Sequence, residues 1–186
     1  KPQSSGKRRP EDVLPLPVRE DMPAIEQELA QLATLTSAHP GEDGSERLLV
    51  ALHDGQTVES VLLPRDGLCV SSQVGCAVGC VFCMTGKDGL IRQLGSAEIV
   101  AQVALARKHR KVSRVVFMGM GEPSHNLDNV MDAIELLGTL GAFGHKNLVF
   151  STVGDRCVFE RLPQGPVKPA LALSSVGVSQ VFVFGS

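Results

Sequence analysis

The sequence predicts an α/β domain built on a parallel sheet with crossover helices, either open or closing into a barrel. Three observations carry that class. Downstream of Ser96, runs with the 3.6-residue period of an amphipathic helix alternate with short apolar runs, the pattern of βαβ units. Upstream, Asp54 and Gly55 divide two further apolar runs as a hairpin turn does. The chain has 186 residues, 43% of them hydrophobic, enough for one domain with a real core and too few for two large ones.

Taken in order, residues 1–20 are rich in Pro, Ser and charge without an apolar period, and read as a flexible lead. A helix is expected next, because Ile25, Leu29, Leu32 and Leu35 recur at helical spacing behind Asp21 as cap and Pro23 in the first turn. The stretch SAHPGEDGS, 37–45, is a loop by composition. RLLVALHDGQTVESVLLP, 47–64, then forms a β-hairpin, whose second strand puts Thr57, Glu59, Val61 and Leu63 on one face. Helix and hairpin make a first unit, 21–66, and the sheet core occupies 67–186.

Within that core, Ser96 is expected to cap a helix running to about Arg110, where Arg107, Lys108, His109 and Arg110 suit the negative end of the dipole. RVVFMG is a buried strand. Leu127, Val130, Met131, Ile134 and Leu137 form the apolar stripe of the next helix, which Gly138 is expected to close. NLVFST is another strand, a short helix covers 158–162, and PALALS is a further strand.

Composition narrows the function classes. A net charge of −2 leaves no broad electrostatic footprint for nucleic acid, although Lys1, Lys7, Arg8 and Arg9 form a small basic arm. With no Trp and no Tyr, stacking on bases would fall to Phe, His or Arg. No apolar run of about 18 residues and no signal-peptide pattern is present, so the expected compartment is the cytoplasm, without membrane association.

Four of the five cysteines fall within CVSSQVGCAVGCVFCMTG, 69–86. Such clustering suits reduced thiols on a metal better than a disulfide framework. Cys76, Cys80 and Cys83 form C-x3-C-x2-C, and Gly75 and Gly79 allow the backbone to fold tightly around a shared centre. A closed zinc site wants four ligands, whereas a [4Fe-4S] cluster held by three cysteines leaves one iron free for a small molecule. Zinc, with Cys69 as a fourth ligand, is the alternative, and it would make the chain a zinc-stabilised binding module.

With Phe82 just before its last cysteine, this triad resembles the signature of radical SAM enzymes. The wider run, followed by GMGEP at 119–123 and STVG at 151–154, resembles the RNA adenine methyltransferases of the RlmN and Cfr group over roughly 57–174. The resemblance implies a partial radical SAM (βα) barrel, preceded by the helix and hairpin. It implies that Cys76, Cys80 and Cys83 hold a [4Fe-4S] cluster, and that Gly121, Glu122, Ser151 and Ser174 contact S-adenosyl-L-methionine (SAM). By themselves GMGEP would be a tight turn and Ser151 a strand-end cap. Reductive cleavage of SAM to a 5′-deoxyadenosyl radical would be the cofactor's chemistry, fed by an electron donor such as a flavodoxin-type protein.

Two further roles come with the resemblance. VESVLLP is similar to the family's segment carrying the base that deprotonates the substrate adenine, so Glu59 takes that role; read from periodicity alone, Glu59 points to solvent. A carboxylate beside apolar neighbours is disfavoured in its charged form, which suits a base working near neutrality. Cys69 matches the cysteine that resolves a protein–RNA adduct by forming a disulfide. The implied reaction methylates C2, rather than C8, of an adenine in rRNA or tRNA through a methyl-cysteine intermediate. A radical SAM enzyme with another substrate would need neither Glu59 nor Cys69.

The sequence departs from the family in three places. No accessory helical domain is recognisable before the match, Ser175 and Val176 stand where a Leu-His pair is expected, and no late methyl-carrying cysteine follows. Cys157, in DRCVFERL, reads as an ordinary helix-face residue. The chain is therefore expected to be a fragment lacking the C-terminal part, and inactive in methylation by itself.

Overall fold

The computed structural model describes residues 27, 28, 30–81 and 83–174. The lead at 1–20, Asp21, Pro23, Ile25, Leu29, Phe82, Ser175 and Val176 lie outside these. The chain enters the sheet through an antiparallel succession of β1 (Ala33–Pro40), β2 (Glu46–Leu52), β3 (Thr57–Leu63) and β4 (Gly67–Val70). From β4 onward the sheet is parallel. It continues through β7 (Arg114–Phe117), β8 (Leu148–Thr152) and β9 (Ala170–Leu173), giving the order β1-β2-β3-β4-β7-β8-β9. The hairpin and the parallel strands are thus one sheet.

Helices α1 (Ser96–His109), α2 (Leu127–Thr139) and α3 (Arg156–Arg161) provide the crossovers. Between β4 and α1 lies a two-stranded antiparallel ribbon, β5 (Gln73–Gly75) and β6 (Leu90–Gln93). Its three- and four-residue strands are too short to show a period in the sequence.

Alternation sorts the sheet into two faces. Val50, Val58, Leu62, Leu68, Val70, Phe117 and Phe150 bury against Ile99, Val103 and Ala106 of α1 and Val130, Ile134 and Leu137 of α2. Burial of each such side chain is worth about 1.5–3 kcal/mol, so this helix-covered layer is the core. The opposite face carries Glu59 and Val61 of β3, Cys69 of β4, Val116 of β7 and Ser151 of β8, related by the pairs Val61 with Cys69 and Cys69 with Val116.

The structure corrects four local expectations. Helical geometry stops at Leu32, and Leu35 belongs to β1, opposite Val50. The β-branched Thr34 and Thr36 favour a strand, and the β2 edge offers a ladder that a helix could not use. That ladder runs on through His39 with Arg47 and Pro40 with Glu46, leaving only 41–45 of the expected loop as a turn.

Helix α1 is capped at Gly95 and not Ser96: the Gly95 N–H donates to the Glu98 carboxylate at 2.9 Å, half of a capping box. Gly138 does not end α2. It lies inside the helix where the Val167 side chain packs, with Val167 Cγ1 2.7 Å from where a Cβ would stand.

One ion cluster ties the hairpin to the helices. Arg92 of β6 donates to Asp54 Oδ2 at 2.6 Å, in the β2–β3 turn, and to both oxygens of the buried Glu98 at 2.8 and 2.9 Å. The Arg92 hydrogen bond holds the Asp54 carboxyl down at about 2. Burial pushes Glu98 up, but Arg92 and the Gly95 N–H outweigh it and hold the group below the ordinary carboxylate range. Both groups therefore stabilise the fold above their unfolded values near pH 4, and that contribution is lost as pH falls toward 2.

Arg92→Met is expected to cost about 2–3 kcal/mol at pH 7 by stranding Glu98, below the full cost of breaking a buried pair because Arg92 is 27% exposed. The difference from wild type in denaturant unfolding should narrow as pH falls from about 5 to about 2. Parallel curves over that range would rule out Arg92 as the clamp.

Candidate functional site

The cysteine loop hangs from the β5–β6 ribbon. At its base Gly75 has φ 78°, and a Cβ there would stand 2.1 Å from the Gly89 carbonyl oxygen, which accepts the Cys76 N–H at 3.0 Å. Only glycine closes the loop this tightly. The Cys83 N–H donates to the Cys80 carbonyl at 3.0 Å, turning the second half of the loop back on itself. Cys76, Cys80 and Cys83 are each half-buried, and Val81 and Met84 between and beside them are exposed. Burial pushes the Cys76 thiol up, reinforced by the charges of Cys83, Cys80 and Glu122 nearby.

These three thiols share the wall of one cavity of about 290 Å³ with Gly121, Glu122, Ser151 and Ser174. The cavity sits past the C-terminal ends of β4, β7, β8 and β9, where parallel α/β sheets gather their binding loops. Among the described residues no three His, Cys, Asp or Glu side chains come close enough together to hold a single metal ion. Three soft thiols on one cavity wall are a donor set that suits an iron–sulfur cluster held by three cysteines.

Glu122 is held in this wall by three hydrogen bonds. Its N–H donates to Gln73 Oε1 at 2.8 Å, Oε1 accepts the Ser124 N–H at 3.1 Å, and Oε2 accepts the Val153 N–H at 3.2 Å. The carboxylate thus bridges the turn after β7 to the STVG loop after β8. Gly121 makes this possible: its φ is 98°, and a Cβ would fall 2.5 Å from the Gln73 side chain. Ser151 is buried at the end of β8, and the Ser174 N–H donates to the Thr152 carbonyl at 2.9 Å, fixing the end of β9 beside it.

Gln73 was not singled out by the sequence. It is fully buried, and its amide also donates to Gln93 Oε1 at 2.8 Å, while Gln93 Nε2 donates to the His125 carbonyl at 2.8 Å. Its neighbours Ser72 and Val74 carry no local signal of that burial.

Glu59 and Cys69 do not line the cavity, but they share the sheet face that bears Ser151. The apolar setting expected for Glu59 is not found: its side chain is 42% exposed and lies 3.6 Å from Arg47 Nη1. Val61 and Leu63, on the same face, are themselves only half-buried, because the packed side of β3 is the one bearing Val58, Ser60 and Leu62. Cys69 is buried, and burial pushes its thiol up to about 11 against a weaker opposing hydrogen bond with the Met118 backbone. Cys157 packs at the edge of the core from α3, away from the cavity. Among the described residues no helix is long and apolar enough to cross a membrane.

Comparison with known proteins agrees with this geometry. A protein of Leptothrix cholodnii named "Probable RNA methyltransferase" is 75% identical over 93% of this chain and 50% of its own length. A protein of Methylibium petroleiphilum with the same description is 80% identical over 88% of this chain and 47% of its own. The chain therefore spans about half the length of the curated relatives it matches. The crystal structure of a radical SAM methyltransferase from Sphaerobacter thermophilus superposes with a TM-score of 0.71 at 37% identity, covering 87% of this chain and 50% of that one. The sequence profile of the radical SAM superfamily matches residues 70–176, from the end of β4 past the end of β9. That stretch supplies every wall of the cavity, and the chain belongs to the radical SAM superfamily.

Proposed function

We propose that the protein is a radical SAM methyltransferase that methylates an adenine base of ribosomal or transfer RNA, at C2 rather than C8. The observation that carries this reading is the convergence of Cys76, Cys80 and Cys83 with Gly121, Glu122, Ser151 and Ser174 on one cavity. RNA as substrate rests on the names of the half-matched relatives. The adenine, its C2 position and a methyl-cysteine intermediate rest on the sequence resemblance alone.

In this reading the three thiolates hold a [4Fe-4S] cluster from a loop whose ends the ribbon pins. When bound, the cluster and SAM together supply radical chemistry, with the electron coming from a flavodoxin-type donor. The chain's own residues orient and neutralise. Glu122 presents a carboxylate fixed by two backbone N–H groups, suited to receive the methionyl ammonium of SAM by a charge-assisted hydrogen bond. Gly121 keeps the neighbouring backbone clear of side chain, and Ser151 and Ser174 line the same cavity.

Glu59 is the base that removes a proton from the adenine ring, and its exposure leaves it within reach of a macromolecular substrate. Cys69 is the resolving thiol. A thiol held protonated by burial is a poor nucleophile, so Cys69 stays inert until the substrate or adduct alters its surroundings. Action on RNA in this way belongs to the cytoplasm.

Anaerobic reconstitution with iron and sulfide should give a brown protein whose reduced EPR spectrum shifts on adding SAM, and Cys80→Ala should lose the cluster. Stoichiometric zinc without iron would instead make the chain a zinc-stabilised binding module. Gly121→Ala should still assemble the cluster, while the SAM concentration needed for the EPR shift rises about tenfold or more, since the new methyl displaces Gln73 and with it Glu122. In the cluster-free protein at pH 8, iodoacetamide should modify the half-buried Cys80 and Cys83 before Cys69, whose rate should climb as pH rises toward 11.

A further inference from the structure

The antiparallel ladder between β3 and β4 pairs Leu63 with Gly67, Leu62 with Leu68 and Val61 with Cys69. Carried two residues further, it would set Glu59 opposite Ser71. The chain instead leaves the sheet at Ser71 to begin the cysteine loop, which deprives Glu59 of a strand partner on that side. Side chains take over. The Glu59 N–H donates to Met120 Sδ at 3.4 Å, and the Glu59 carbonyl accepts the Ser71 hydroxyl at 2.5 Å. Ser71 Oγ in turn accepts the Met120 N–H at 2.8 Å, closing a triangle of three residues.

This triangle is rigidly mounted. Ser71 is fully buried, and its backbone is gripped by one side chain of α1: Gln102 Oε1 accepts the Ser71 N–H at 2.9 Å and Gln102 Nε2 donates to the Ser71 carbonyl at 3.0 Å. Gly119 has no room for a side chain, because a Cβ would stand 2.7 Å from both Ser71 Oγ and the Val70 carbonyl. Met120 lies two residues before Glu122 in the same turn. The backbone of Glu59 is therefore referenced to the turn that bears Glu122, while its carboxylate stands half-exposed beside Arg47.

We infer that Ser71 and Met120 are positioning residues that fix the root of Glu59 relative to the 119–123 turn, an inference that rests on Glu59 being the base of the proposed reaction. A fixed root with a half-exposed carboxylate suits proton removal from a substrate that must be aligned with SAM bound next door. A merely structural role would predict that losing these bonds weakens folding, and with it SAM binding and methylation in step. The positioning role predicts that proton removal suffers while SAM cleavage continues.

The test uses Ser71→Ala and Met120→Leu in the complete protein, with Glu59→Gln as reference. Met120→Leu keeps the volume and the backbone N–H and removes only the sulfur acceptor. In the cluster-free protein, amide hydrogen exchange at Glu59 should accelerate about tenfold in Met120→Leu. With cluster, SAM and RNA present, methylated adenine formed per 5′-deoxyadenosine should fall about tenfold in both variants, with the SAM-dependent EPR shift retained. Unchanged exchange at Glu59, or a product ratio within about twofold of wild type while Glu59→Gln abolishes methylation, would overturn the positioning role and leave the base reading standing. Full methylation by Glu59→Gln would overturn the base reading, and the inference with it. Should Ser71→Ala fail to fold, Met120→Leu alone decides.

Discussion

The fully buried amide of Gln102 is the interaction on which the working end of the sheet depends. It accepts the Ser60 hydroxyl at 2.8 Å and the Ser71 N–H at 2.9 Å, and it donates to the Ser71 carbonyl at 3.0 Å. A strand that leaves a sheet strands its backbone polar groups, and a buried unpaired group costs about 1–3 kcal/mol. Gln102 removes that cost at the one point where β4 must be abandoned for the cysteine loop to start. It does so from α1, the helix that follows the loop, so both ends of the cysteine excursion are tied to a single element.

From that anchor the rest of the site is assembled by backbone capture. The Ser72 and Gln73 N–H groups donate to the Met120 carbonyl at 2.9 and 3.2 Å, and the Asn126 amide donates to the Ser72 and Leu94 carbonyls at 2.8 and 2.7 Å. The loops after β4 and β7 are thus stitched together before any cofactor is considered. Glu122 adds the loop after β8 by accepting the Val153 N–H. Preorganisation of this kind means that a charged ligand meets donors and acceptors already aimed, with little ordering cost left to meet on binding.

The division of labour between the two sheet faces follows from the same geometry. One face is filled by the helices, which cover the buried Val, Leu and Phe of β2, β3, β4, β7 and β8. The other face carries Glu59, Cys69 and Ser151, the residues to which the proposed reaction gives roles, at positions offset by one from the core residues Val58, Leu68 and Phe150. A register slip of one residue would exchange the two sets and lose both core and site together.

Much of this was legible in the chain itself. Helix and strand periods after Ser96, the Asp54-Gly55 hairpin, the C-x3-C-x2-C spacing and the order of GMGEP and STVG are short-range features, readable because a few neighbouring residues determine each. Where two local patterns competed, as at Leu35, which suits a helical stripe and an alternating strand equally, the sequence could not choose and the β2 edge did.

What only the tertiary structure decided are the contacts between distant parts. Gln73 reaches Glu122 across 49 residues, and Gln102 reaches Ser71 across 31. The first pair exists because β4 and β7 are sheet neighbours and the second because α1 packs on the end of β4, and no local pattern records which elements will be adjacent. The contact of Glu59 with Arg47 on the neighbouring strand is of the same kind, whereas its exposure is what periodicity alone indicated. Alternation along β3 assigned it to a face, and the three-dimensional packing determined that the helices cover the other one.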